Sequence, residues 1–336
     1  MLLKNYLNEN LSGKSLFITG GTGFFGKSII DYLSKHEIKL GKLTILTRNI
    51  KNFKIANPEF NEVKIPYLNF IEQDVQKLQY NNDTYDYVIH AATSVVDKVD
   101  ALQLVNEIID GSKRVLDFAS KANAKSFINV SSGAVYGKIK KLEPALESDL
   151  STPSLESNSS SYALGKIISE YYSYLYANSS MKVTSLRCFC FAGAYLNPSV
   201  FAIGEFINKA LKNEDVLVNS GSGVYRSYLS TCDLVEWMFY VLISSLHRVS
   251  NYEVYNVGSE NAISLPELAS FVIKTLNSKS NLLCPNIKNH GISYYVPNID
   301  KIKQLGVESN YSLDQVIIDT ADFYTKNSIL YLKDSK

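Results

Sequence analysis

Apolar residues in the first 187 positions form short runs that alternate with stretches of helical spacing. The runs are short enough for buried strands. They lie at Leu16–Thr19, Leu43–Thr47, Phe70–Ile71, Tyr87–His90, Phe127–Val130 and Val183–Arg187. Helical spacing covers residues 27–36, 101–122 and 162–176. This alternation predicts an α/β fold built on a doubly wound parallel sheet.

A glycine-rich segment follows the first predicted strand and precedes a helical pattern. Residues 20–28 read GGTGFFGKS, in which Gly20, Gly23 and Gly26 form the triplet of a dinucleotide-binding turn. Such a turn presents backbone N–H groups and a helix N-terminus to a phosphate. The segment therefore predicts a Rossmann-type dinucleotide site.

The same residues also match the P-loop pattern G-x-x-x-x-G-K-S, from Gly21 to Ser28. A P-loop enzyme holds Mg²⁺ with the loop serine and with an aspartate at the end of another strand. The predicted strands lack such an aspartate, because Tyr87–His90 ends in histidine and Glu72 and Gln73 separate Asp74 from its strand. A P-loop nucleotide triphosphatase is therefore the weaker alternative.

The residue after the second predicted strand indicates which dinucleotide binds. The strand Leu43–Thr47 is followed by Arg48, at the place where an NAD-binding protein has an acid for the ribose hydroxyls. A guanidinium can donate two parallel hydrogen bonds to the oxygens of a 2′-phosphate. The sequence thus favours NADP(H), with NAD(H) as the other possibility.

The last third of the chain is less regular. Ser264–Glu267 has the sequence of a capping box, and a final helix is expected from about Leu313. We predict a Rossmann dinucleotide-binding domain over residues 1–187 and a smaller C-terminal α/β region, mainly substrate-binding, over 188–336. Segments at about 225–260 are expected to return to the first domain.

Composition and charge argue against several classes of partner. The chain has 336 residues, 46% hydrophobic, and a net charge of +1 without a long charge run, so it has no electrostatic footprint for nucleic acid. The N-terminus lacks the apolar core of a signal peptide, and Trp237–Ile243 is too short to span a bilayer. The four cysteines indicate reduced thiols, and Cys188-x-Cys190 has no second pair at zinc spacing. We expect a cytoplasmic protein without a metal site.

Two further segments carry residues suited to proton transfer. Ser132 follows the strand Phe127–Val130, and Tyr162 and Lys166 lie four residues apart, which puts them on one helix face about 5–6 Å apart. A phenol is a poor base at neutral pH because its pKa is about 10. A nearby ammonium and an oxidised nicotinamide are expected to lower the pKa of Tyr162. Ser132 would hydrogen-bond the reacting oxygen as its charge develops.

Taken together, these elements resemble the short-chain dehydrogenase/reductase superfamily, in its extended branch of nucleotide-sugar epimerases and dehydratases. The matching segments are GGTGFFG at 20–26, HAAT at 90–93, SSGAVYG at 131–137, YALGK at 162–166, RCFCFAG at 187–193, YRSYLSTCDL at 225–234 and YNVGSE at 255–260. They follow the order of the family and cover nearly the whole chain.

The resemblance implies a role for each matching residue. Ser132, Tyr162 and Lys166 would be catalytic, with Lys166 also holding the nicotinamide ribose. Ser132, Cys190 and Arg226 would contact a nucleoside-diphosphate sugar, with Arg226 on its diphosphate. The residues expected at the cofactor are Gly20, Gly23, Phe24, Phe25, Gly26, Arg48, Asp74, Val75, His90, Ala91, Ala92, Thr93, Tyr162, Lys166 and Phe189. The family also implies a homodimer formed through helices 101–122 and 162–176.

The chain departs from the dehydratases directly after Ser132. Dehydratases have acids there that take the C5 proton and help expel the C6 hydroxyl, whereas this chain has Gly133 and Ala134. Neither can transfer a proton, so we do not expect 4,6-dehydration. UDP-glucuronate decarboxylases also carry a glutamate there, so the resemblance argues against decarboxylation as well. A second arginine for the diphosphate is missing before YYVPN, where Lys288 and His290 are the nearest cations.

Reversible hydride transfer at a sugar carbon, expected at C4, is the remaining chemistry. A 4-epimerase keeps its cofactor and returns the hydride to the other face, whereas a 4-keto reductase exchanges its cofactor in each cycle. The sequence leaves both open. A non-catalytic NADP(H)-binding sensor is a further alternative, although such proteins usually lack the tyrosine–lysine pair.

Overall fold

A computed structural model describes residues 2–93, 100–139, 141–149, 153–221, 223–285 and 291–327. Lys288 and His290 lie outside these described residues. The helices are α1 Leu2–Leu11, α2 Phe24–Lys35, α3 Ile50–Ala56, α4 Ala101–Lys121, α5 Ser161–Tyr176, α6 Ala202–Lys212, α7 Thr231–Ser244, α8 Leu265–Thr275, α9 Asp300–Lys303 and α10 Leu313–Lys326. The strands are β1 Ser15–Thr19, β2 Lys42–Thr47, β3 Leu68–Glu72, β4 Tyr87–His90, β5 Ser126–Ser132, β6 Lys182–Cys188, β7 Phe191–Ala192, β8 Val216–Leu217, β9 Val224–Arg226, β10 Leu229–Ser230, β11 Tyr252–Val257, β12 Ile263–Ser264, β13 Leu282–Leu283 and β14 Ser293–Tyr295.

A seven-stranded sheet has the strand order β11-β6-β5-β4-β1-β2-β3. Its registers are parallel from β6 through β5, β4, β1 and β2 to β3. The chain runs outward from β1 to β3 and then returns to β4 on the other side of β1. This reversal creates a topological switch point at the carboxyl ends of β1 and β4, where ligands of such sheets bind. The predicted Rossmann-type doubly wound sheet is confirmed.

The central strands are apolar because helices cover both faces of the sheet. Leu16, Phe17 and Ile18 of β1 are fully buried, as are Phe127 and Ile128 of β5. Each of the six predicted strands is present within two residues of its predicted bounds. Helix α2, however, starts three residues earlier than the predicted residue 27, because the helix already begins in the glycine-rich segment, where apolar periodicity gives no signal.

The described chain divides into two compact units. Unit 1 comprises Met1–Gly137, Ser151–Cys188 and Val235–Tyr255, and unit 2 comprises Lys138–Leu150, Phe189–Leu234 and Asn256–Lys336. The binding roles assigned to the two predicted domains stay predictions.

Unit 2 contains the three-stranded sheet β12-β9-β14, and its helices α6, α8 and α10 pack against one another. The predicted capping box begins α8: Ser264 Oγ accepts from Glu267 N, and Glu267 Oε2 accepts from Ser264 N at 3.0 Å.

Helix α7 contains the most apolar stretch of the chain. Trp237, Met238 and Phe239 are completely buried there, as expected for a core helix. Among the described residues, no helix combines the length and the apolar character needed to cross a membrane.

Candidate active site

The turn between β1 and α2 packs backbone against backbone. Gly20 has a φ of +72°, and a Cβ there would lie 2.6 Å from the carbonyl carbon of Ala91. Gly26, in the first turn of α2, would place a Cβ 2.1 Å from the Cα of Gly21. Gly23 is the N-cap of α2 and makes no side-chain cap. Gly20 and Gly26 therefore accept only glycine, and the helix N-terminus beside them suits a phosphate.

This geometry does not support the P-loop alternative. The turn has only four residues before α2 begins at Phe24. Ser28 lies on the second turn of that helix, is buried, and donates from Oγ to the Phe24 carbonyl at 2.7 Å.

A cavity of about 210 Å³ lies at the switch point in unit 1. Eight of the predicted cofactor residues line it: Gly20, Gly23, Arg48, Asp74, Val75, Ala91, Ala92 and Thr93. They follow the carboxyl ends of β1, β2, β3 and β4. The glycine turn, the helix N-terminus and this lining together fit a dinucleotide.

Sequence reasoning missed six other residues that line the cavity: Thr22, Leu46, Thr47, Gln73, Gln76 and Glu107. Most of them are immediate neighbours of predicted residues, so a wider window around the motifs includes them. Glu107 is different, because it comes from the second turn of α4 and no local pattern marks it.

The end of β2 presents a cation rather than an acid to this cavity. Arg48 is exposed, and Asn49 after it caps α3 by accepting from Asn52 N at 2.7 Å. Glu72, at the end of β3, accepts from Ile50 N at 2.8 Å. Its carboxylate is thus engaged at the start of α3.

His90, at the end of β4, is a buried structural residue. Its Nδ1 lies 2.7 Å from Thr19 Oγ1 and its Nε2 lies 3.2 Å from Ser112 Oγ. Burial, helped by the charge of Lys166, lowers the pKa of His90 to about 3. The ring is therefore neutral at pH 7 and joins β1, β4 and α4.

The three predicted catalytic residues lie together in unit 1. Ser132 ends β5, while Tyr162 and Lys166 lie in the first turns of α5. Lys166 Nζ is 5.7 Å from the centroid of the Tyr162 ring and donates to the Val130 carbonyl at 2.7 Å. Ser132 and Tyr162 are joined by a side-chain hydrogen bond. Ser132 Oγ also accepts from Ala134 N at 3.1 Å.

Burial governs the ionisation of this group. It raises the pKa of Tyr162 to about 12, although the hydrogen bond with Ser132 lowers that pKa. It lowers the pKa of Lys166 to about 8, while Cys188 and Glu170 raise it. The predicted lowering of the phenol pKa relied on an oxidised nicotinamide as well as on the ammonium. In the protein alone the pKa is raised, because the buried phenolate loses solvation, and the lowering in the presence of cofactor stays a prediction. A bound oxidised nicotinamide would add a second positive charge.

Two of the three predicted substrate residues, Cys190 and Arg226, lie in unit 2, as does Phe189, which was predicted at the cofactor. Arg226 ends β9, where its Nη1 donates to the Tyr225 carbonyl at 2.7 Å and its guanidinium carbon lies 5.5 Å from the Tyr295 ring centroid. Phe189 packs on the same ring, with centroids 4.7 Å apart. Cys190 is half-buried, and burial raises the pKa of its thiol to about 11 while Arg226 lowers it. Tyr295 is a further candidate that sequence reasoning did not select.

Comparison with known proteins places the chain among enzymes that modify nucleotide sugars. The sequence model of the NAD dependent epimerase/dehydratase family matches residues 16–258. A UDP-N-acetyl-alpha-D-glucosaminuronate decarboxylase from Bacillus cytotoxicus is 26% identical over 324 residues, which cover 93% of this chain and 98% of the relative. A dTDP-4-dehydro-6-deoxyglucose reductase from Escherichia coli is 26% identical over 278 residues, covering 79% of this chain and 83% of the relative.

Solved structures share the fold. The crystal structure of UDP-glucose 4-epimerase from Thermotoga maritima, with UDP-glucose, superposes with a TM-score of 0.78 at 21% identity. The match covers 93% of this chain and 99% of the epimerase. Together with the family match, these findings show that the chain is an enzyme and belongs to the NAD dependent epimerase/dehydratase family.

Proposed function

We propose that this enzyme reversibly transfers hydride between a nicotinamide cofactor and C4 of a nucleoside-diphosphate sugar. The observation that carries the proposal is the group formed by Ser132, Tyr162 and Lys166, which lies in the same unit as the glycine turn. Lys166 Nζ lies 5.7 Å from the centroid of the Tyr162 ring, and the Ser132 side chain is hydrogen-bonded to the phenol.

Each of these side chains has a defined task. In reduction Tyr162 Oη donates its proton to the sugar oxygen, and in oxidation it takes the hydroxyl proton. Ser132 Oγ hydrogen-bonds the same oxygen as charge develops on it. Lys166 contributes the positive charge that favours the phenolate. The cofactor, when bound, supplies or receives the hydride.

Within this chemistry we favour a 4-keto reductase. Arg48 suits the 2′-phosphate of NADP(H), the usual donor for reduction. The relative from Escherichia coli is named as a reductase of a 4-dehydro sugar. Gly133 and Ala134 follow Ser132 and carry no acid for dehydration.

Arg226 is proposed to bind the diphosphate of the sugar nucleotide. Its guanidinium lies over the Tyr295 ring and is held by the Tyr225 carbonyl, so its fork is oriented before a ligand arrives. A planar fork matches the oxygens of a phosphate. Cys190 offers the sugar a thiol and no side-chain amide, which leaves the identity of the sugar open.

Tyr162→Phe tests the proposal. Turnover of NADPH with a panel of 4-keto nucleotide sugars should fall by about 10²–10⁴-fold, because the variant cannot transfer the proton. Affinity for NADPH, measured by fluorescence, should stay the same. Tyr171→Phe is the matched control, since Tyr171 lies on the same helix but is 60% exposed. Unchanged turnover in Tyr162→Phe refutes the proposal.

The cofactor that co-purifies separates the remaining alternatives. Exchangeable NADPH supports the reductase, whereas tightly retained NAD⁺ identifies a 4-epimerase, which regenerates its cofactor within each cycle. A protein that binds NADPH but turns over no sugar nucleotide supports the non-catalytic sensor. Mass spectrometry of the released nucleotide gives this result directly.

A further inference from the structure

A buried ion pair in unit 1 lies next to the proposed catalytic group. Arg187 of β6 and Glu170 of α5 have side chains only 16% and 9% exposed. Arg187 Nη2 is 2.8 Å from Glu170 Oε2, and its Nε is 3.1 and 3.2 Å from the two carboxylate oxygens. Burying two charges costs solvation that the pairing often does not recover as stability. We therefore looked for the role of the ion pair in the neighbouring residues that it contacts.

The pair holds the chain on both sides of Ser132. Ser131 Oγ donates to Glu170 Oε1 at 2.5 Å. Arg187 Nη1 donates to Tyr136 Oη at 2.9 Å, and its guanidinium carbon lies 4.9 Å from the centroid of that ring. Ser131 directly precedes Ser132, and Tyr136 ends the 3-10 helix that follows it. Both flanks of the reactive serine are thus fixed to one ion pair.

Glu170 also acts on Lys166, which lies one turn earlier on the same face of α5. Besides the Tyr162 ring, whose centroid is 5.7 Å from Nζ, the described groups that interact electrostatically with this amine are Cys188 on β6, Glu170 on its own helix and His90 on β4. Burial raises the pKa of Cys188 to about 12 and lowers that of His90 to about 3, so both are neutral at pH 7. Glu170, paired as a carboxylate with Arg187, is the negatively charged group among them that favours the ammonium.

We propose that Arg187 and Glu170 are a positioning pair, which fixes the segment carrying Ser132 and holds a negative charge one helical turn from Lys166. The kinetic part of this inference rests on the hydride-transfer function proposed above. The electrostatic part does not, because it concerns the folded protein alone.

The electrostatic part is tested by titrating Lys166 in the full-length protein by NMR, with lysine labelled at Cε. Lys166→Met identifies the resonance by its loss. In Glu170→Gln, which keeps the size of the side chain, the midpoint of the Lys166 titration should move to lower pH. Glu236→Gln is the control, because it neutralises a part-buried carboxylate of unit 1 that accepts from Tyr32 at 2.9 Å. An unmoved midpoint in Glu170→Gln overturns the inference.

The kinetic part uses the paired substitution Glu170→Met with Arg187→Met. Removing both charges together leaves no unpaired buried ion, so a thermal unfolding midpoint close to that of the wild type is expected. The kcat should fall by roughly 10²-fold, as for a small misplacement of reacting groups, while KM changes little. Arg187→Lys keeps the positive charge but loses the two parallel N–H donors of the guanidinium, so its kcat should lie between those of the wild type and the paired variant. In Glu170→Gln the alkaline limb of the kcat profile should move to lower pH.

The outcomes separate this inference from the proposed function. A wild type that turns over a sugar nucleotide, with a paired variant of equal kcat and an unshifted Glu170→Gln profile, overturns the positioning role. A wild type without turnover refutes the proposed function, and the NMR titration still decides whether Glu170 supports the charge of Lys166.

Discussion

Among single residues, Arg48 is the one on which the proposed preference for NADP(H) rests. Its position after β2 is the place where an acid would bind the ribose hydroxyls, and the neighbouring carboxylate of Glu72 is engaged with Ile50 N. Arg48 is exposed and lines the cavity at the switch point. A phosphate on the 2′ oxygen would therefore meet a guanidinium with no competing acid at the end of β2.

Arg48→Ala should weaken NADPH binding and leave NADH binding unchanged. Hydrogen bonds to charged groups contribute about 1.5–3 kcal/mol, so the Kd for NADPH should rise about 10–100-fold. Fluorescence titration with both cofactors measures this. Lys51→Ala, on the exposed side of α3, is the control. Equal losses for the two cofactors would show that Arg48 does not read the 2′-phosphate.

Motif residues were predictable from sequence, but their ionisation was not. Gly20, Asp74 and Ala91 line one cavity, as their motifs imply. The direction of the pKa shift at Tyr162 depends on how deeply the fold buries the phenol, which spacing on a helix does not reveal. The ion pair of Arg187 and Glu170 joins residues 17 positions apart on different elements, so no local pattern identifies it.

At the scale of elements, the helix ends follow local sequence signals. Ser264 and Glu267 cap α8 reciprocally, as their spacing predicts. Ser312 also precedes a helix, α10, yet its side chain makes no cap hydrogen bond to the helix backbone. The two serines thus occupy equivalent positions with different contacts.

Ser264→Ala should lower the free energy of unfolding by about 1 kcal/mol, because the N-cap acceptor for Glu267 N is lost. The midpoint of thermal unfolding, followed by circular dichroism, checks this. Ser312→Ala is the matched control, and a much smaller shift is expected there. Equal shifts in the two variants would mean that the capping box adds nothing beyond serine at that position.

The strands were easier to predict than the helix starts. Strands β1, β4 and β5 are apolar runs with polar boundaries, so their limits appear in the sequence. Helix α2 begins inside the glycine-rich segment at Phe24, and its start depends on the contact of Gly26 with Gly21. A contact between two backbone segments leaves no side-chain pattern in the sequence, so the start of this helix could not be predicted.

For the whole molecule, acidity should affect stability through His90. Its pKa in the folded protein is about 3, below the ordinary value of about 6.5. Between these values the unfolded chain binds a proton that the folded chain does not. The contribution of His90 to the free energy of unfolding is therefore complete above pH about 6.5 and is lost as the pH falls toward about 3.

The free energy of unfolding should decrease by up to about 1.4 kcal/mol per pH unit in this window because of His90 alone. Urea unfolding at a series of pH values measures the slope. His90→Gln removes the titrating group. Its free energy of unfolding should therefore fall less steeply with decreasing pH, by up to about 1.4 kcal/mol per pH unit. His247→Gln, at an exposed position, is the control. Parallel slopes for the wild type and His90→Gln would contradict the assignment.

The association and location of the molecule stay predictions. The homodimer through α4 and α5 and the cytoplasmic location were inferred from resemblance and cysteine content. Exposed Tyr171, Tyr174 and Leu175 on α5 are compatible with an interface. The mass in solution by light scattering is the direct measurement.

The backbone contacts of the glycine turn restrict how the enzyme can be engineered. Gly20 and Gly26 leave no room for even one methyl group, so randomised libraries that include them will mostly return misfolded clones. Attempts to exchange one coenzyme for the other should leave this turn intact. Mutagenesis at the loop after β2, where Arg48 is solvent-exposed, is the productive route.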